Sequence, residues 1–198
     1  MANIRDDQLK VSLLDIDKFV KANNIQEVSN PVLFKNSNPT PDGLLSNEIF
    51  GITKDERSGI FGYIDLNEKF IEPYFYKVWL KIDKNLRAVV YETDYFRIDS
   101  NGHLVQDDNG ETGIKFLINN IDKIKFKNTK KDSLLKVLMD NKEQMFTDSF
   151  IVIPPFYRDV NNDKGKVAIG AINELYRNLI VFVKALRESA DYGLNLSD

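Results

Sequence analysis

The chain has 198 residues, 42% of them apolar and 29% charged, which is enough for one globular domain or two small ones and too apolar for a disordered tail. Twenty-seven Lys and Arg against thirty Asp and Glu leave a formal net charge of -3, which excludes a protein that holds nucleic acid by bulk charge. With no cysteine and a single histidine, disulfides, thiolate zinc ligands and thiol nucleophiles are excluded, and an imidazole metal site is disfavoured.

The N-terminal Met1-Ala2-Asn3-Ile4-Arg5-Asp6-Asp7 carries acids where a signal peptide needs cations. No apolar run approaches the roughly 18 residues that span a bilayer, so a soluble, unexported protein is expected. Twenty of the 27 cations are Lys, and Asn and Ile are plentiful, the residue usage of an AT-rich genome.

In chain order, Asp15 is placed to cap a short helix through Ile16, Phe19 and Val20 that ends at Asn23-Asn24 and packs on a strand. Residues 35–43, with Pro39, Pro41 and Gly43, read as an ordered loop, and 51–62 as a second one, leading into a strand over Phe61 to Leu66. The aromatic run from Phe70 to Leu80 fits helix and strand alike, with Pro73 suited to a first helical turn. Arg87 to Tyr91 and Tyr95 to Ile98 read as strands, and Asn101-Gly102 as a tight turn into His103-Leu104-Val105.

That hairpin is acidic, with six carboxylates against one Arg between Glu92 and Glu111, whereas Lys115 to Lys142 holds eight Lys and three Asp. Helices follow over 113–121 and from Asp132 to about Asn141. Phe150-Ile151-Val152-Ile153 reads as a buried strand ended by Pro154-Pro155, and residues 161–165 as a turn. The helix is clearest where Ile172, Leu175, Tyr176, Leu179, Val183 and Leu186 keep helical spacing.

Most catalytic signatures are missing: no Walker loop, no Gly-x-Ser-x-Gly elbow, no paired His, no Cys-His couple. Asp107-Asp108-Asn109-Gly110-Glu111 lacks the alternating ligands and distal Glu of a calcium loop and reads as a solvated hairpin. His103 has no nucleophile or second imidazole nearby in sequence. Tyr74, Phe75, Tyr76 and Trp79 read as a core cluster rather than a base-stacking platform, and the lysines of 115–142 as a solvated face.

Separated blocks then add to this reading. Pro41-Asp42-Gly43-Leu44-Leu45-Ser46-Asn47-Glu48-Ile49-Phe50-Gly51 resembles the P-x-x-D-G-L-F-x-x-x-I-F-G element of the β′ subunit of cellular multisubunit DNA-directed RNA polymerases. Gly62-Tyr63-Ile64-Asp65-Leu66, leading to Trp79, is similar to that family's G-H-I-x-L and the aromatic clamp segment after it. Ile153-Pro154-Pro155-Phe156-Tyr157-Arg158-Asp159-Val160, then Gly165 to Ala168 and Asn173-Glu174-Leu175-Tyr176-Arg177, resemble its L-P-P-x-x-R-P-x, G-x-x-A and N-x-L-Y-R.

The resemblance implies an α+β fold: a mixed clamp-like domain of short strands with an acidic hairpin and a long C-terminal helix. It divides the chain into a β′-like clamp region over 1–157, a lid-like loop over 158–168, and the first arm of a clamp coiled coil with its tail over 169–198. In the lid, Arg158, Lys164 and Lys166 would meet the phosphates of the RNA–DNA hybrid. On the arm, Asn173, Tyr176 and Arg177 would dock subunits or a sigma-like initiation factor, with Ile172, Leu175, Leu179 and Leu186 as its seam.

The family's bacterial members insert a four-cysteine zinc domain after I-F-G, and this chain has no cysteine. Asp159 replaces the Pro that follows the family's Arg, and the magnesium-chelating N-A-D-F-D-G-D is absent, so no catalytic residue is assigned and Mg²⁺ is expected elsewhere in the complex. The implied setting is a divergent bacteriophage polymerase, acting in the host cytoplasm or packaged in the virion. Its partners would be β-like and C-terminal β′-like subunits, DNA and the RNA–DNA hybrid, with no membrane. The rival expectation is a non-enzymatic phage protein with a clamp-like fold that binds host transcription machinery.

Overall fold

The computed structural model describes residues 13–126, 132–163 and 166–191. Helix α1 (Ile16–Ala22) starts where expected, at Asp15, whose carboxylate accepts from the Lys18 N–H at 3.0 Å, and it is followed by the short strand β1 (Gln26–Glu27). A small hairpin of β2 (Phe34–Lys35) and β3 (Asn38–Pro39) lies in the segment read as loop. The single turn α2 (Asn47–Phe50) is capped by the Ser46 hydroxyl and ends at Gly51, whose φ of 73° is open chiefly to glycine.

The segment 51–62, expected to be irregular, contains α3 (Lys54–Gly59). A reciprocal capping box starts it: the Thr53 hydroxyl accepts from the Glu56 N–H, and the Glu56 carboxylate accepts from the Thr53 N–H. Strand β4 (Gly62–Ile71) then runs further than the expected strand, and the aromatic run after it is helical, α4 (Pro73–Leu80), with Pro73 in the first turn and Glu72 as cap.

The reading of Arg87 to Tyr91 as a strand is corrected: these residues belong to α5 (Leu86–Val90) and its C-cap. Leu86 and Val89, three residues apart, both reach the core, which a strand's alternation would not allow. Strands β5 (Phe96–Ile98) and β6 (Leu104–Gln106) form the acidic hairpin, pairing Ile98 with Leu104, so the connection is longer than a two-residue Asn-Gly turn. The Asp99 carboxylate organises it by accepting the N–H groups of Asn101 and His103, each at 2.8 Å, and those bonds hold its pKa below the usual range.

Helices α6 (Gly113–Asn120) and α7 (Asp132–Asp140) lie close to their expected places. Strand β7 (Phe146–Val152) begins earlier than the apolar run that announced it. Within the expected lid-like loop β8 (Val160–Asp163) pairs antiparallel with β9 (Lys166–Ile169), and α8 (Ala171–Asp191) is the last of the described elements. No helix among the described residues is long and apolar enough to cross a membrane.

The main sheet has the order β1-β4-β7, with β4 parallel to β1 and antiparallel to β7. Midway along the β4–β7 ladder the register shifts between Asp65 and Phe70, and Asn67 takes a positive φ with its N–H on the Asp65 carboxylate. The bulge separates two apolar cores. One gathers Val28, Leu44, Phe50, Ile64 and Val152 with Tyr176, Ile180 and Val183 of α8. The other gathers Ile71, Phe75, Trp79, Leu86, Leu117, Leu138 and Phe146, with Trp79 edge-on to Phe126 at 5.1 Å.

Helix α1 packs on β7, where the Asp17 carboxylate accepts the Thr147 hydroxyl at 2.5 Å. The far end of α8 is tied to the sheet by Arg187, whose guanidinium pairs with Asp65 at 2.9 Å and Glu27 at 3.3 Å. Because both cores share β4 and β7, thermal unfolding is expected to be a single transition. Phe50→Ala and Trp79→Ala, one in each core, should each cost about 3–5 kcal/mol and lower that same transition. A calorimetric scan that splits into two peaks in either variant would show that the cores fold separately.

Candidate functional site

Pro154 and Pro155 end β7 and turn the chain through a short 3-10 turn, so that Arg158 points back under the strand it has just left. The side chain is only 2% exposed. Its Nε donates to the Ile153 carbonyl at 2.8 Å, one terminal nitrogen to the Asn173 amide oxygen at 2.6 Å, and the other to the Leu44 carbonyl at 2.6 Å. The guanidinium also lies 5.3 Å from the Phe50 ring centre and 5.7 Å from that of Tyr176.

Each partner is itself held. Asn173, fully buried in the first turn of α8, donates to the Asp159 carbonyl at 3.1 Å, and the same carbonyl takes the Gly170 N–H at 2.9 Å. Those bonds pin the base of the β8–β9 hairpin to the start of α8. The Tyr176 hydroxyl donates to the Ile151 carbonyl at 3.1 Å and accepts the Ile153 N–H at 3.3 Å, closing the end of β7.

Leu44 is delivered by a turn in which Asp42 has a φ of 53° and the Thr40 hydroxyl donates to the Val32 carbonyl. Phe50 is delivered by α2, and Gly62 leaves it room, since a Cβ there would stand 2.6 Å from the Val28 side chain and 3.0 Å from the Phe50 ring.

Among the described residues no carboxylate forms an ion pair with Arg158. Burial lowers its pKa to about 10, against a smaller opposing pull from Tyr176, and the group therefore stays cationic at neutral pH. Carbonyl dipoles and ring faces carry the charge.

This arrangement corrects the expected roles. Arg158 is not available to hybrid phosphates, because its donors are engaged inside the protein and water does not reach it. Asn173 and Tyr176 are buried as well, so neither side chain offers a docking surface, and only Arg177 of that set is half-exposed. Lys166 opens β9, and Lys164 lies outside the described residues.

Among its exposed residues α8 presents the apolar Ile172 at 36%, Leu175 at 69%, Val181 at 51% and Phe182 at 57% exposure, with Leu179 and Leu186 half-buried. The sequence reading missed Phe182, although it continues the same spacing.

No protein-family model matches the chain, and comparison with curated proteins finds no similar sequence.

Arg158→Ala would leave the Leu44, Ile153 and Asn173 oxygens unpaired in a dry site. A loss of about 3–5 kcal/mol in denaturant unfolding is expected, with Arg158→Lys recovering less than half because an ammonium cannot reproduce the fork. A loss under about 1 kcal/mol for Arg158→Ala would contradict this role.

Proposed function

We propose that the chain is the N-terminal clamp and lid portion of a β′-like subunit, a non-catalytic part of a bacteriophage DNA-directed RNA polymerase. The observation that carries this reading is the convergence at Arg158. The first and third of the blocks that resemble the β′ subunit are far apart in sequence, yet between them they supply the cation, its acceptors and its flanking rings at one buried point. Leu44 and Arg158 are separated by 114 positions.

In this reading Arg158 anchors the base of the lid-like hairpin, and the contact with hybrid phosphates falls to Lys164 and Lys166. Helix α8 is the first arm of the clamp coiled coil. Its residues Ile172, Leu175, Leu179, Phe182 and Leu186, of which Ile172, Leu175 and Phe182 are exposed, follow the a/d spacing of a heptad over about 21 Å, a seam suited to a second helix. Nucleotidyl transfer belongs to a separate chain or segment with the N-A-D-F-D-G-D element, where Mg²⁺ would activate and orient the reacting oxygens.

Affinity purification of the tagged chain from its native setting, followed by mass spectrometry, tests this. A β-like chain and a chain bearing N-A-D-F-D-G-D should co-purify. Recovery of host polymerase subunits alone would contradict the proposal and favour the host-binding rival. Replacing Leu175 and Phe182 together by Asp should reduce recovery of the partner at least about tenfold, with unfolding free energy changed by no more than about 0.5 kcal/mol per exposed site.

A further inference from the structure

Away from the motif-bearing core, the turn before α5 and the helix itself place Lys84, Arg87, Ala88 and Tyr91 at i, i+3, i+4 and i+7. With Thr93 they line an open groove of about 520 Å³. Tyr91 is 64% exposed, and the Arg87 guanidinium stands 5.9 Å from the centre of its ring. Tyr76 adjoins this group, its pKa raised by burial and by the neighbouring Tyr91.

The cations of this groove are not held in ion pairs among the described residues. Arg97 pairs with Asp107 at 2.9 Å and Lys115 with Glu68 at 3.2 Å, whereas Lys84 and Arg87 have no ion pair among the described residues. The nearby carboxylates are turned to other work: Asp83 accepts the Asn85 N–H at 3.0 Å, Asp94 accepts from the Gln106 amide at 3.1 Å, and Glu92 lies against Gly113. Two like charges one helical turn apart repel each other unless an anion joins them.

We propose that this groove binds single-stranded nucleic acid, with Lys84 and Arg87 on consecutive phosphates and an unpaired base stacked on the face of the Tyr91 ring away from Arg87. The cations select a polyanion, and the exposed ring selects a strand whose base faces are free, which a duplex does not offer. Ala88 keeps the floor between them low, so a nucleotide can lie against the helix. The inference rests on the polymerase reading only for its setting in transcription, because the contact belongs to this chain alone.

The test uses the full chain and fluorescence anisotropy with labelled oligo-dT and oligo-rU of roughly 12 nucleotides, a duplex of the same length, and thymidine monophosphate as competitor. Binding to at least one single strand is expected, salt-dependent and tighter than to the duplex. Tyr91→Ala should weaken it about tenfold while Tyr91→Phe stays within about twofold, because stacking needs the ring and not the hydroxyl. Replacing Lys84 and Arg87 together by Ala should lower the slope of log K against log salt by about 1.4.

A control with Lys18 and Lys21 replaced by Ala should bind as the unaltered protein does, and circular dichroism should show every variant folded. Failure to bind either strand, equal binding of the duplex, displacement by the mononucleotide at equal concentration, or unaltered binding by folded Tyr91→Ala would overturn the proposal. None of these results depends on which subunits co-purify, so failure of the polymerase reading and failure of the groove are told apart.

Discussion

A guanidinium drawn out of water loses several kcal/mol of hydration, and Arg158 regains it from carbonyl oxygens, an amide oxygen and two ring faces instead of from a carboxylate. That choice constrains everything around it. The Leu44 carbonyl must be aimed inward, which requires the strained turn at Asp42. The Asn173 amide must face the core, which fixes the rotation of α8 about its axis, and Phe50 must lie over the cation, which requires a small residue at Gly62. Once α8 is rotated so that Asn173, Tyr176, Ile180 and Val183 face inward, Leu175 and Phe182 are left outside. The exposed apolar seam follows from the buried charge.

The β4–β7 ladder divides the labour between two cores. The core on the motif side is organised by polar bonds between distant segments, whereas the other is held by aromatic and aliphatic packing around Trp79 and carries the exposed cations and Tyr91 of the α5 groove. A scaffold whose specificity comes from one buried polar centre can tolerate divergent surface chemistry, because exposed residues contribute little to the fold.

Much of the fold was legible in the residues. The Asp15 cap, the helices at 113–120 and 132–140, and the long C-terminal helix follow from capping and apolar period, and these local signals survive packing. The helix at Leu86–Val90 was hidden by its Val-Val-Tyr composition, where burial of Leu86 and Val89 against the second core overrides β propensity. Helix α3 was readable in Thr53-x-x-Glu56, a capping box inside a segment judged by its glycines.

The hairpin at 160–169 was hidden because Asn and Asp are poor strand formers, and the pairing of β8 with β9 settles their backbone groups all the same. The site was the least legible part. An arginine reads as a surface cation by default, and its true partner at Leu44 is a backbone carbonyl that no side-chain identity announces.

The central claim, that Arg158 is an internal cation and not a contact for nucleic acid, is tested most directly by proton exchange at its guanidinium. In a nitrogen-resolved magnetic resonance spectrum near neutral pH, the Arg158 Nε–H should exchange with solvent orders of magnitude more slowly than that of the exposed Arg87, and its resonance should stay in place when single-stranded nucleic acid is added. Exchange of the two groups at similar rates, or a shift of Arg158 on addition of the strand, would contradict the account.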